Sequence, residues 1–244
     1  MLNAFDALDP QERIMIALDC DSHTAFDLAD ALEGKAVWMK VGMTLFYANG
    51  PSIVHALKER GFKVFLDLKF HDIPHQVEGA AASATQSGAN MITMHTVGGI
   101  DMMKAAQAGA KRAAAEQGIE TPITLGITVL TSMNEQTLKE VGVQKRVVEQ
   151  VCDLAKNAQK AGISGVVASP QEAQMLRGIM GVDAYIVTPG VRPVGSDKGD
   201  QRRVATPAQA LNNGASHIVI GRPITQSAHP AQAFDEIVKS LISY

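Results

Sequence analysis

Cysteine is close to absent from this chain. Cys20 and Cys152 are the two in 244 residues; they stand far apart and form no CxxC or CxxH pattern, which fits a reducing compartment and argues against a zinc site. Both are expected to be buried free thiols. Aromatic residues are scarce too, at 5% against 46% hydrophobic overall. That balance, carried by alanine and valine, belongs to α/β proteins rather than to a sandwich.

The chain also lacks any block of like charge. Its net charge of −3 is spread along its length, so there is no electrostatic footprint for nucleic acid or for an anionic membrane, and any phosphate must be held locally. No apolar stretch reaches the roughly 18 residues that a membrane span requires. Asp6, Asp9, Glu12 and Arg13 precede the first apolar run, which is not the pattern of a secretory signal. A cytoplasmic location is expected, with no membrane and no nucleic-acid partner.

What the sequence does have is repetition. Short runs rich in Val, Ile and Met recur from Ile14 to Asp19, Val37 to Gly42, Val64 to Phe70, Met91 to Thr96, Thr124 to Leu130, Gly165 to Ser169, Tyr185 to Gly190 and His217 to Gly221. Ala-rich segments with helical spacing separate them, among them Ala25 to Glu33, Pro51 to Arg60, Val77 to Ser87, Met102 to Glu116, Lys145 to Lys160 and Pro230 to Leu241. Gly61, Gly88, Gly162 and Gly214 each stand just before a strand, where helix-ending glycines belong. Eight strands with a helix after nearly every one predict a (β/α)8 TIM barrel filling residues 1–244 as a single domain. An open doubly wound sheet is the alternative, but the first strand is not followed by GxGxxG.

In such a barrel the reactive groups stand at the C-terminal ends of the strands. Charges interrupt the apolar runs at those ends: Asp19, Lys40, then Asp67 and Lys69, with Asp72 just beyond. Alternation puts Asp67 and Lys69 on one face of the third strand and Leu66, Leu68 and Phe70 on the other. Charges beside a barrel lumen are costly unless paired, and Lys40 on the next strand supplies a second cation. The competing reading is a structural ion-pair network.

A second cluster lies late in the chain, where Thr188 to Arg192, Gln201 and the run from Ile220 to Pro223 suit a phosphate site after strands seven and eight. Gly190 and Gly221 permit close backbone approach, and Arg222 offers a fork to phosphate oxygens. The loop from Val191 to Thr206 is long and polar, as functional loops are. His71 and His75 flank Asp72 without a third ligand nearby, so they are read as loop histidines. His95, at the end of the fourth run, is a candidate for pocket lining, and Trp38 is read as barrel filling.

The stretch from Phe65 to Pro74, with its DxKxxD spacing, resembles the signature of the orotidine 5′-phosphate decarboxylase family. The likeness extends along nearly the whole chain, through Ala17 to Asp19, Lys40 to Gly42, Val129 to Met133, Thr188 to Arg192 and Ile220 to Ile224. The resemblance implies decarboxylation of orotidine 5′-phosphate to uridine 5′-phosphate. Asp19 and Lys40 would face the ribose hydroxyls, Lys69 would be the proton donor, Asp67 would lie beside the substrate carboxylate, and Asp72 would come from the partner subunit of a homodimer. Thr131 or Ser132 would meet the pyrimidine edge. Gln201, Gly221 and Arg222 would hold the phosphate with Arg192 in a closing loop, and Ile73 and Pro189 complete the substrate-binding set.

One departure from the family is visible. Where the family reads AspIleProAsnThr, this chain has His75 and Gln76 after Pro74, so a ribose contact falls to Gln76 or is lost. Related sugar-phosphate barrels share DxKxxD but carry a metal-binding glutamate where Lys40 stands. An ammonium has no lone pair for a divalent ion, so neither metal nor cofactor is expected. The rivals are a metal-dependent relative on the same barrel and a non-catalytic sensor of phosphorylated ligands, for which the Lys–Asp set would be superfluous.

Overall fold

The computed structural model describes residues 3–193 and 205–242. Eight parallel strands follow one another around a closed barrel in sequence order: β1 Ile14–Leu18, β2 Trp38–Gly42, β3 Lys63–Phe70, β4 Met91–His95, β5 Ile123–Ile127, β6 Gly165–Val167, β7 Tyr185–Thr188 and β8 His217–Ile220. β1 pairs with both β2 and β8, which closes the ring. The helices are α1 Ser22–Leu32, α2 Met43–Asn49, α3 Ser52–Glu59, α4 Pro74–Gln86, α5 Gly99–Gln117, α6 Glu135–Glu140, α7 Val147–Ala161, α8 Ala173–Met180, α9 Pro207–Asn212, α10 Arg222–Thr225 and α11 Pro230–Ile242. The expected barrel is therefore the observed one.

Strand alternation divides the core in two. Ile14, Ile16, Leu18, Met39, Val41, Val64, Leu66, Ile92 and Ile218 face outward into the layer under the helices. Met15, Ala17, Trp38, Phe65, Met91, Leu125, Val187 and Val219 face inward and fill the lumen. Trp38 is barrel filling, as its alternation with Lys40 indicated. The apolar runs read from the sequence overshoot most of these strands by a few residues. Several of the overshooting residues, Asp19, Val129, Leu130, Pro189, Gly190 and Gly221, instead form the wall of the cavity above the barrel.

The helices end where the glycines stand. Gly162 caps α7 in the left-handed region at φ 73°, and Gly61, Gly88 and Gly214 likewise have positive φ. α1 begins earlier than the apolar spacing indicated, at Ser22, because the Asp21 side chain accepts from the Thr24 N–H at 2.8 Å.

At the N-terminal face an aromatic plug closes the barrel. His217 stacks on Tyr185 at 5.5 Å, and the Trp38 and Phe5 rings present edges to it. Arg177 on α8 lies beside the plug and donates to the carbonyls of Gly181, Val182, Ala184 and Gly214, the segments leading into β7 and β8. No described helix is long and apolar enough to cross a membrane.

Candidate active site

The C-terminal face holds a cavity of about 670 Å³. Its floor is apolar, made by Ala17, Phe65, Ile127, Val167 and Val219 from alternate inward positions of five strands. One wall is a row of alternating charge. Lys40 Nζ lies 3.1 Å from Asp19 Oδ1 and 3.9 Å from Asp67 Oδ2, and Lys69 Nζ lies 2.8 Å from the same Asp67 oxygen.

Register explains the row. Ala17 stands opposite Lys40 on β2, and Gly42 opposite Asp67 on β3, so the charged positions climb from strand to strand toward the rim. Gly42 leaves them room: a Cβ there would lie 3.3 Å from both Asp19 Oδ1 and Lys40 Nζ. Asp67 is 9% exposed. Burial opposes its ionisation, but the ammoniums of Lys40 and Lys69, with hydrogen bonds from Lys69 and Thr93, outweigh that and hold its carboxyl below the usual carboxylate range.

Lys69 adopts a left-handed backbone at φ 55°, alone among the described non-glycine residues in having positive φ. The β3–β4 register shifts between Leu66 and Phe70, around this residue. Its N–H goes to Thr93 Oγ1 at 2.9 Å, and Thr93 in turn donates to Asp67 Oδ1 at 2.9 Å.

Thr131 and Ser132, in the segment between β5 and α6, line the cavity. Pro189, Gly190, Arg192, Gly221 and Arg222 line it from the β7 and β8 ends. Gly190 sits at φ 78°, a conformation that suits glycine. Val191 bridges Ala205, and Arg192 N–H donates to Ala205 O at 2.9 Å, so the two ends of the long loop meet at the rim. Gln201 lies outside the described residues.

A family model described as orotidine 5′-phosphate decarboxylase / HUMPS family matches residues 12–237 of the chain. The chain belongs to this family. A protein of Moorella thermoacetica named orotidine 5′-phosphate decarboxylase is 48% identical over 225 residues, 91% of this chain and 89% of its own length. One from Pseudoalteromonas translucida with the same name is 46% identical over 234 residues, 96% of this chain and 98% of its own. The crystal structure of orotidine 5′-phosphate decarboxylase from Lactobacillus acidophilus matches with a TM-score of 0.84 at 36% identity, covering 94% of this chain and 99% of that one.

The decarboxylase-family signature places its residues unequally in a single chain. Asp19, Lys40, Asp67 and Lys69 converge, and Thr131, Ser132, Pro189, Arg192, Gly221 and Arg222 surround the same cavity. Asp72, Ile73 and Gln76 do not join them. All three are exposed, Ile73 at 63%, and Asp72 Oδ1 accepts the adjacent Ile73 N–H at 2.6 Å.

The cysteines are half-buried rather than buried. Cys20 is on the cavity wall, where burial and the nearby Asp21 and Asp19 push its thiol up to about 11, and Cys152 points its sulfur at Met175 Sδ, 3.1 Å away. Thr93 carries no charge and so no mark in the sequence; its signal is its inward position on β4, between Met91 and His95.

His95 and His71 stand with ring centroids 5.5 Å apart. Burial, then His71 and Lys69, keep His95 below the usual histidine range. Among the described residues no three His, Cys, Asp or Glu side chains gather as a metal ion requires.

Proposed function

We propose that this chain converts orotidine 5′-phosphate to uridine 5′-phosphate and carbon dioxide, a step of de novo pyrimidine biosynthesis. The row of two carboxylates and two ammoniums along one wall of an apolar-floored cavity carries the reading, in a chain whose relatives bear that enzyme's name.

Breaking the bond between C6 and the carboxylate leaves an electron pair on C6, and no ring carbonyl is placed to delocalise it. A cation held in advance at that point stabilises the developing charge more effectively than solvent, because it need not reorient. The Lys69 ammonium is such a cation, oriented by Asp67 at 2.8 Å. As C6–H forms, one Lys69 N–H bond breaks, and solvent restores the proton to the amine.

Asp67 stays ionised against its burial and would face the substrate carboxylate. Two like charges about 4 Å apart at an effective dielectric near 20 repel by roughly 4 kcal/mol. Enzymes commonly lower barriers by about 8–23 kcal/mol, so repulsion is the smaller share and stabilisation by Lys69 the larger.

Asp19 and Lys40 take the ribose hydroxyls, Thr131 or Ser132 meets the pyrimidine edge, and Pro189 packs beside it. Arg192, Gln201, Gly221 and Arg222 hold the phosphate, whose binding energy closes the loop over the substrate and excludes water. Asp72 comes from the partner subunit of a homodimer, a reading that its exposure in the single chain supports; Ile73 belongs to the substrate-binding set, and the ribose contact falls to Gln76 or is lost. The scheme uses no metal and no cofactor, and the ammonium of Lys40 disfavours a divalent ion at that place.

The test follows the absorbance of orotidine 5′-phosphate as it meets the protein, with and without EDTA. Conversion to uridine 5′-phosphate that EDTA leaves unchanged is the expected result. Conversion abolished by EDTA points to metal-dependent chemistry, and no conversion overturns the assignment of substrate.

A further inference from the structure

We infer that Thr93 is a positioning residue for the proposed reaction: its single hydroxyl ties the Asp67 carboxylate to the Lys69 backbone and thereby sets where the Lys69 ammonium stands. The inference rests on the decarboxylase reading and adds to it a residue of β4 that neither charge nor motif marks.

Thr93 is fully buried, and its oxygen accepts the Lys69 N–H at 2.9 Å while lying 2.9 Å from Asp67 Oδ1. An ionised carboxylate has no proton to give, so the hydroxyl proton must point to Asp67, and both bonds have a forced direction. With Oδ1 held in this way, Oδ2 is turned toward Lys69 Nζ at 2.8 Å and Lys40 Nζ at 3.9 Å. Thr93 therefore fixes the rotation of the carboxylate that orients both ammoniums.

The same hydroxyl acts on the backbone. A left-handed conformation is disfavoured for a residue bearing a Cβ and persists only where its surroundings over-determine it. Lys69 adopts it at φ 55°, where the β3–β4 register is broken. The N–H that the ladder leaves there is taken by Thr93. Removing the hydroxyl leaves a part-buried donor without its acceptor and frees the carboxylate at once. The ammonium then loses its aim while the cavity floor and the arginine rim remain.

The loss should fall on turnover rather than on substrate affinity, since a misplacement of about 1 Å can cost up to about a hundredfold in rate. Thr93→Val keeps the shape and removes the hydroxyl, and Thr93→Ser keeps the hydroxyl. With orotidine 5′-phosphate as substrate, Thr93→Val is expected to lower kcat by about tenfold to a hundredfold with little change in KM. It should also move the acid limb of kcat/KM to higher pH, because Asp67 loses a donor that favours its ionised form. Thr93→Ser should return kcat most of the way to the wild-type value.

A folded Thr93→Val protein with wild-type kcat, or a serine variant as slow as the valine one, overturns the inference. Should the valine variant fail to fold, Thr93→Ala, which also removes the hydroxyl and is smaller, takes its place, and wild-type kcat there is equally fatal. Wild-type protein without turnover overturns the decarboxylase reading and the inference with it, which separates the two failures.

Discussion

Lys69 and Asp67 form an ion pair of 2.8 Å within one strand, two residues apart, at the point where β3 breaks register with β4. In the proposed mechanism this pair holds the charge that decarboxylation requires. Lys69→Ala is expected to reduce turnover by at least about a thousandfold while affinity for uridine 5′-phosphate changes far less. Single-turnover kinetics and a binding titration measure the two effects separately, and near-normal turnover in the variant would remove Lys69 from its role.

If Asp72 serves the partner's cavity, two dead variants can restore one another. Lys69→Ala and Asp72→Ala are each expected to be nearly inactive, yet a mixed dimer carries one cavity with both groups intact. Re-equilibrating equal amounts of the two should give about a quarter of wild-type activity by statistics of a two-fold assembly. Activity that stays at the level of the separate variants would place Asp72 outside the partner's site.

His217 makes stability depend on pH. Burial, then the cations Arg13 and Lys63, push its value down to about 3, whereas the unfolded chain binds that proton near 6.5. Between those values the unfolded state holds more protons, so stability falls as pH drops from about 6.5 toward 3, with a slope of at most about 1.4 kcal/mol per pH unit. His217→Phe keeps a ring against Tyr185 and Trp38. Its melting temperature should fall less steeply with acid than that of the wild type in calorimetric scans.

Arg177 tests the opposite end of the barrel. Arg177 is 5% exposed, and its guanidinium donates to four backbone carbonyls. Arg177→Ala is expected to cost about 3–5 kcal/mol, because several backbone carbonyls lose their donor at about 1–3 kcal/mol each, and to lower Tm on the order of 10 °C. Arg177→Lys should rescue little, because one ammonium cannot reproduce the fork. Activity of the folded variant at low temperature should match the wild type.

Much of this protein is local information and was therefore legible in the chain. Period-two runs and 3.6-period segments mark strands and helices because side-chain direction repeats with backbone geometry. Residues such as Asp19, Lys40, Asp67 and Lys69 stand out because charge at the end of an apolar strand needs a reason. Gly162 and Gly214 end their segments because a positive φ suits them. The tertiary structure alone decided what depends on distant segments meeting. Closure of β1 against β8 brings Gly221 and Arg222 to the cavity that Lys69 occupies. The same packing leaves Asp72 and Gln76 outside it. The register break at Lys69 delivers its N–H to Thr93. A neutral threonine carries no mark of that role in sequence, because a hydroxyl's bonds follow from what folding sets within 3 Å of it and not from its neighbours along the chain.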